Sequence, residues 1–157
     1  MALIGFVGLA LMVQLAGAAA SSDALSGWYL SLAAPPLTPP RWVFGPVWTV
    51  LDIMVGTAAW LIWRQVSPWQ LSRRPALRLW GWQIALTAAW TPTFFGLHSP
   101  GAAMAIIAAL LAVSLATIAS FWQRNSWSAV LLLPTTLCLC YAAYLNAGFW
   151  WLNGGHA

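Results

Sequence analysis

The chain has 157 residues, 62% hydrophobic and only 5% charged, with a formal net charge of +4. A soluble domain of this size needs a wetter surface than six arginines and two aspartates provide, so the composition excludes one and points to an integral membrane protein. The arginines are too few and too scattered for a nucleic-acid surface, and none of the charges is Lys or Glu.

Five apolar segments are long enough to cross about 30 Å of hydrocarbon as helices. They fall at 2–20, 43–64, 76–97, 101–122 and 127–152, and are read as one all-α membrane domain over 1–157. Strand alternation is absent, which argues against a β-barrel. The first segment ends in "AGAAASS", which resembles a signal cleavage site, but it lacks a basic start and is taken as a span. The connection 21–42 is too long for a turn. Its "PPLTPP" restricts φ and disfavours helix and strand, predicting an extended lid over the bundle mouth.

The second segment carries Asp52, eight residues beyond Phe44 and so about 12 Å deep. An ionised Asp near the bilayer centre costs about 2.5–3.5 kcal/mol on insertion scales, so an intramembrane acid is a candidate functional group. Trp48, Val55, Ala59 and Trp63 share its face, with Arg41, Gln83, Thr87 and Asn146 as candidate partners. A structural role, a protonated Asp bonded to a neighbouring helix, is equally open.

In the third segment Trp80, Gln83, Thr87, Trp90 and Phe94 recur at steps of three and four and share one face. Gly81, Ala85 and Ala89 lie on the opposite face, a small-residue stripe suited to close helix approach, within the monomer or across a dimer. Ala105, Ala108, Ala112 and Ala116 give the fourth segment a similar packing face. The fifth holds Pro134, expected to kink it, followed by a stripe of Cys138, Ala142, Asn146, Phe149 and Asn153. Cys138 and Cys140 point to different sides of a helix and read as small apolar residues, not a disulfide.

Arg64, Arg73, Arg74, Arg78 and Arg124 fall on one side of this layout, and Arg41, Asp23, His98 and His156 on the other. The positive-inside rule then places the N-terminus in and the C-terminus out, with the lid outside. Thirteen tryptophans suit both membrane interfaces and a flat apolar binding site. No metal-ligand spacing, zinc-protease motif, phosphate loop or Ser–His–Asp set occurs, and His98 reads as a solvated loop residue rather than a haem ligand.

The stretches "WYLSLAAPPLTPPRWVFGPVWTVLD", "WQIALTAAWTPTFFG" and "LPTTLCLCYAAYLNAGFWWLN" resemble the first loop with second helix, the third helix and the fifth helix of the translocator protein family, also called tryptophan-rich sensory protein (TspO) or peripheral benzodiazepine receptor. The resemblance spans essentially the whole chain. It implies a five-transmembrane-helix bundle, usually a homodimer, with a pocket under the first loop. Its ligands are tetrapyrroles such as protoporphyrin IX and haem, sterols, and synthetic isoquinolines and benzodiazepines. Position by position it also matches Pro35, Pro39, Phe44, Pro92, Phe95 and Pro134, and the positions carried over as the site are Gly17, Trp28, Tyr29, Pro40, Trp42, Trp48, Gln83, Trp90, Phe94, Ala142 and Asn146, with Gly81, Ala85 and Ala89 on the dimerising helix.

Departures from the family pattern fall in the expected pocket: Asp52 for Tyr, Thr87 for Asn, Thr135 for Tyr and Cys138 for Trp; in the loop, Ala34 stands for Lys and Leu37 for Trp. Arg41 is a candidate substitute for the lost Lys as partner of a porphyrin carboxylate. The expected site thus comprises those carried-over positions together with Arg41, Asp52, Thr87 and Cys138, with no metal and no required cofactor; a bound porphyrin or haem is expected as ligand. The leading expectation is a receptor, sensor or carrier in a bacterial inner membrane, in contact with lipid and binding a tetrapyrrole, sterol-like or other hydrophobic molecule. The alternatives are a light-dependent porphyrin-degrading enzyme, against which Cys138 argues, and an interaction subunit of a pigment complex.

Overall fold

The computed structural model describes residues 1–65 and 72–154, with residues 23–26 described for their backbone only. The described residues form helices joined by short connections, without strands. Helix α1 spans Ala2–Ser26, a short α2 spans Trp28–Ser31, and a 3-10 turn at Arg41–Val43 leads into α3, Phe44–Trp63. Then come α4, Arg73–Thr91, with a π turn at Pro92–Gly96, α5, Pro100–Trp122, and α6, Ser126–Leu152.

Four helices are long and apolar enough to cross a membrane: Ala2–Ser22, Arg41–Trp63, Pro100–Trp122 and Ser126–Leu152. The α4 helix is not among them, because Arg73, Arg74, Arg78 and Gln83 dilute its apolar content. The helix boundaries otherwise stay close to the expected ones, with two corrections. The first helix runs six residues past residue 20, since only Gly27 interrupts a helix-compatible sequence, and α2 follows. The lid is therefore helical up to Ser31, and only its proline-rich part is extended. The second correction lies after Thr91: Pro92 has no N–H for the α-helical ladder, and the chain widens until Leu97 N donates to Pro92 O at 2.9 Å. Helix α6 continues through Pro134.

The α5 helix packs along α6, α1 along α3, and α4 along α5. One core joins Val55, Ala59 and Ile62 of α3 to Trp80 of α4, Phe121 of α5 and Leu132 of α6. At the same end, Arg124 donates to Ser72 O (3.0 Å) and Ser120 Oγ (2.9 Å), Arg73 donates to Trp63 O, and Arg64 lies over the Trp60 ring at 4.7 Å. A second cluster, Phe94, Ala103, Leu145 and Phe149, sits at the other end beneath α2. Between them Ser114 and Thr136 share a buried hydrogen bond of 2.7 Å across α5 and α6. The orientation reading also used Asp23 and His156, of which the Asp23 side chain and His156 lie outside the described residues.

Close approach of α1 to α3 depends on Gly56, where an added Cβ would lie 2.6 Å from Val7 Cα. Elsewhere α1 is thinly packed: 6% of its apolar window is buried. Gly81 and Ala85 are exposed on the outer side of α4, opposite buried Trp80 and Gln83.

Candidate functional site

A cavity of about 280 Å³ opens at the lid end of the bundle. Its walls are Val13, Gln14, Ala18 and Ser21 from α1 and Thr87, Trp90 and Thr91 from α4. Arg41, Phe44, Gly45, Trp48 and Asp52 form one continuous strip, at helical spacing, along the 3-10 turn and α3. Ala142, Leu145, Asn146 and Phe149 do the same on α6. The π turn adds both Phe94 and Phe95, neighbours whose rings meet edge-on at 4.8 Å.

The roof is α2 and the proline turn, and α6 holds it. Asn153 pairs with the backbone of Ala33 in both directions, accepting from Ala33 N at 2.9 Å and donating to Ala33 O at 3.1 Å. Tyr141 donates to Leu37 O at 2.5 Å and Tyr144 to Pro36 O at 3.0 Å. Pro35 seats against Gly148, where a Cβ would come within 2.5 Å of Pro35 Cβ. Thr38 N closes the turn onto Pro35 O at 3.3 Å, leaving Leu37 at φ 65. Tyr29 hangs inward from α2 against Phe149, ring centroids 5.1 Å apart. Burial pushes its hydroxyl pKa up, against a downward pull from Arg41.

The polar groups of the wall divide by whether the protein satisfies them. Gln14 donates to Gly45 O (3.2 Å), Ser21 to Gly17 O (2.8 Å) and Thr87 to Gln83 O (3.0 Å). Asn146 donates through Nδ2 to Pro100 O at 2.8 Å, while its Oδ1 is buried without a partner. Trp90 Nε1 is likewise unpartnered. Asp52 is 8% exposed, and its carboxylate receives no hydrogen bond or ion pair from the described residues.

Of the residues marked from the sequence, Tyr29, Arg41, Trp48, Asp52, Thr87, Trp90, Phe94, Ala142 and Asn146 meet in this lining. The others stand apart from it. Gly17 backs the wall, an added Cβ meeting Thr91 Oγ1 at 3.1 Å. Trp28 lies between Phe94 and His98, its ring 4.4 Å from the imidazole. Pro40 leads into the 3-10 turn, and Trp42 is 76% exposed and faces outward. Gln83 is buried one turn from Thr87, and Cys138 is half-buried, one turn from Ala142.

Sequence reasoning missed the α1 wall, because a helix apolar on all sides offers no periodicity to read. It also left Phe44, Phe95, Leu145 and Phe149 outside the site, although the resemblance matched Phe44 and Phe95 and Phe149 belonged to a recognised stripe. Gln14, the lone amide of α1, was the available signal there.

Residues 6–152 match the TspO/MBR family model. Among relatives, the chain is 35% identical over 128 residues to the translocator protein of Ovis aries, covering 82% of this chain and 76% of that one. It is 33% identical over 143 residues to Protein CrtK of Rhodobacter capsulatus, covering 89% and 87%. It is 32% identical over 148 residues to the tryptophan-rich protein TspO of Chlorobaculum tepidum, covering 94% and 92%.

Proposed function

The chain belongs to the TspO/MBR family and is an integral membrane protein, and we propose that it is a receptor, sensor or carrier for a flat hydrophobic ligand, a tetrapyrrole such as protoporphyrin IX or haem, held beneath the lid. The observation that carries this reading is the cavity itself: Trp48, Trp90, Phe94, Phe95 and Phe149 present aromatic surface under a roof latched at several points. Flat aromatic ligands gain from such stacking. At about 280 Å³ the closed cavity stands at the lower edge of the ordinary range for ligand sites, so a macrocycle enters with the lid lifted. No His or Cys is among the lining residues, so an iron porphyrin would be held chiefly by stacking of its ring and by its carboxylates.

In this reading α4 is the fifth span. Its Arg73, Arg74 and Arg78 cluster at the end away from the lid, which supports an N-in, C-out arrangement in a bacterial inner membrane. The exposed Gly81 and Ala85 support a homodimer through α4.

The test is titration of the purified protein with protoporphyrin IX, followed by quenching of tryptophan fluorescence. Saturable quenching that is lost in Trp48→Ala supports a tetrapyrrole site; quenching that never saturates refutes it. With Arg41 at the mouth as partner of a ligand carboxylate, Arg41→Ala weakens the free acid more than its dimethyl ester. Equal loss removes Arg41 from that role.

A further inference from the structure

Resting on the reading of this cavity as a ligand site, we propose that its inner end selects ligands presenting a cationic amine, with Asp52 as the specificity-determining counter-charge. The donors of Gln14, Ser21, Thr87 and the Asn146 amide are all committed to protein acceptors. Among the side chains of the lining that are at least nine-tenths buried, what stays open is the Asp52 carboxylate and Asn146 Oδ1, both acceptors. The other open donors of the lining, the Trp48 and Trp90 indole N–H groups and the Tyr29 and Thr91 hydroxyls, are neutral, and none of them bonds the Asp52 carboxylate. A ligand bringing N–H donors completes the two buried acceptors; one bringing only an acceptor leaves them unmet.

Charge and surface point the same way. An intramembrane carboxylate is costly unless it is paired. Arg41, the cation on the same strip, is eleven residues away, about 16 Å along the helix, and serves the mouth instead of the floor. An ammonium at Asp52 also meets aromatic faces: Trp48 is one turn away on α3, and Trp90 and Phe94 line the facing wall. A carboxylate at the same place meets repulsion. The ligand is thus polarised, with an apolar aromatic body, its amine inward and any anionic group toward Arg41.

The experiment compares two flat probes of nearly equal shape, 1-pyrenemethylamine and 1-pyrenemethanol. Binding to the detergent-purified protein at neutral pH is followed by energy transfer from tryptophan to pyrene, against protein-free micelles. A charge-assisted hydrogen bond predicts that the wild-type protein holds the amine at least about tenfold tighter than the alcohol. In Asp52→Asn that preference falls to roughly twofold or less while the alcohol binds as before; in Asp52→Glu it persists. Equal binding of the two probes by the wild-type protein overturns the proposal and leaves the ligand cavity standing. A preference that survives in Asp52→Asn overturns the role of Asp52. Saturable binding of neither probe sinks the ligand-cavity reading along with the proposal. The wild-type comparison decides the matter even if a variant fails to fold.

Discussion

Replacing Gly148 by Ala adds one methyl group where the lid meets α6. The added Cβ would lie 2.5 Å from Pro35 Cβ and 2.8 Å from Pro35 Cγ, whereas carbon atoms settle at about 3.5–4.0 Å. Pro35 is a ring within a turn, so no flexible side-chain end can swing aside, and the lid must rise by about 1 Å or more. The latch tolerates little of that: the Asn153–Ala33 bonds are 2.9 and 3.1 Å and the Tyr144–Pro36 bond 3.0 Å, and a further ångström takes each beyond bonding distance. Losing these three bonds at about 1 kcal/mol each shifts the closing equilibrium by about 3 kcal/mol, more than about a hundredfold toward open. Amide hydrogen exchange resolved over residues 32–40 measures this directly, and ligand dissociation accelerates in step. Unchanged exchange at those amides in Gly148→Ala would refute the claim that contact with α6 holds the lid.

Three further outcomes follow from the packing. Gly56→Ala forces α1 from α3, with a Cβ 2.6 Å from Val7 Cα, and destabilises by about 1–3 kcal/mol as other overpacked contacts do; an unaltered melting temperature contradicts this. Leu37→Gly relieves the left-handed backbone at φ 65 and sacrifices little packing, since Leu37 is 81% exposed. It favours the closed lid by about 1 kcal/mol, and exchange over 32–40 slows about fivefold; faster exchange counts against it. A double-mutant cycle of Ser114→Ala with Thr136→Val gives a coupling of about 0.6 kcal/mol, at most about 1.7, for their 2.7 Å hydrogen bond; zero coupling means the two helices are held by packing alone.

The helical faces were the most legible part of this protein. Steps of three and four placed Thr87, Trp90 and Phe94 on one side of the third segment, and they share a cavity lining, Thr87 and Trp90 from α4 and Phe94 from the π turn. On the opposite side Gly81 and Ala85 are exposed and Ala89 is half-buried. Periodicity has no say in how far along a face a cavity extends, so Gln83 and Cys138, each one turn beyond the lining, were included with it. The end of α1 was misread for another reason: "SSD" ends the apolar run but breaks no helix, and the first breaker is Gly27. The lid's attachment was hidden altogether. Tyr141 and Tyr144 act on carbonyls more than a hundred residues away in sequence, and nothing local to either residue signals that.

An asparagine side chain is ordinarily ambidextrous. Rotating its amide by half a turn exchanges donor for acceptor, so a lone Asn can greet either kind of ligand group. Asn146 lacks that freedom: Pro100 O accepts from its Nδ2 at 2.8 Å, with Met104 Sδ a further acceptor at 3.6 Å, and a rotated amide would set oxygen against both. The handedness of this amide is therefore written by the first residue of a neighbouring helix before any guest arrives. The cavity does not adapt its polarity to what enters; α5, which adds no side chain to the lining, decides it from behind the wall.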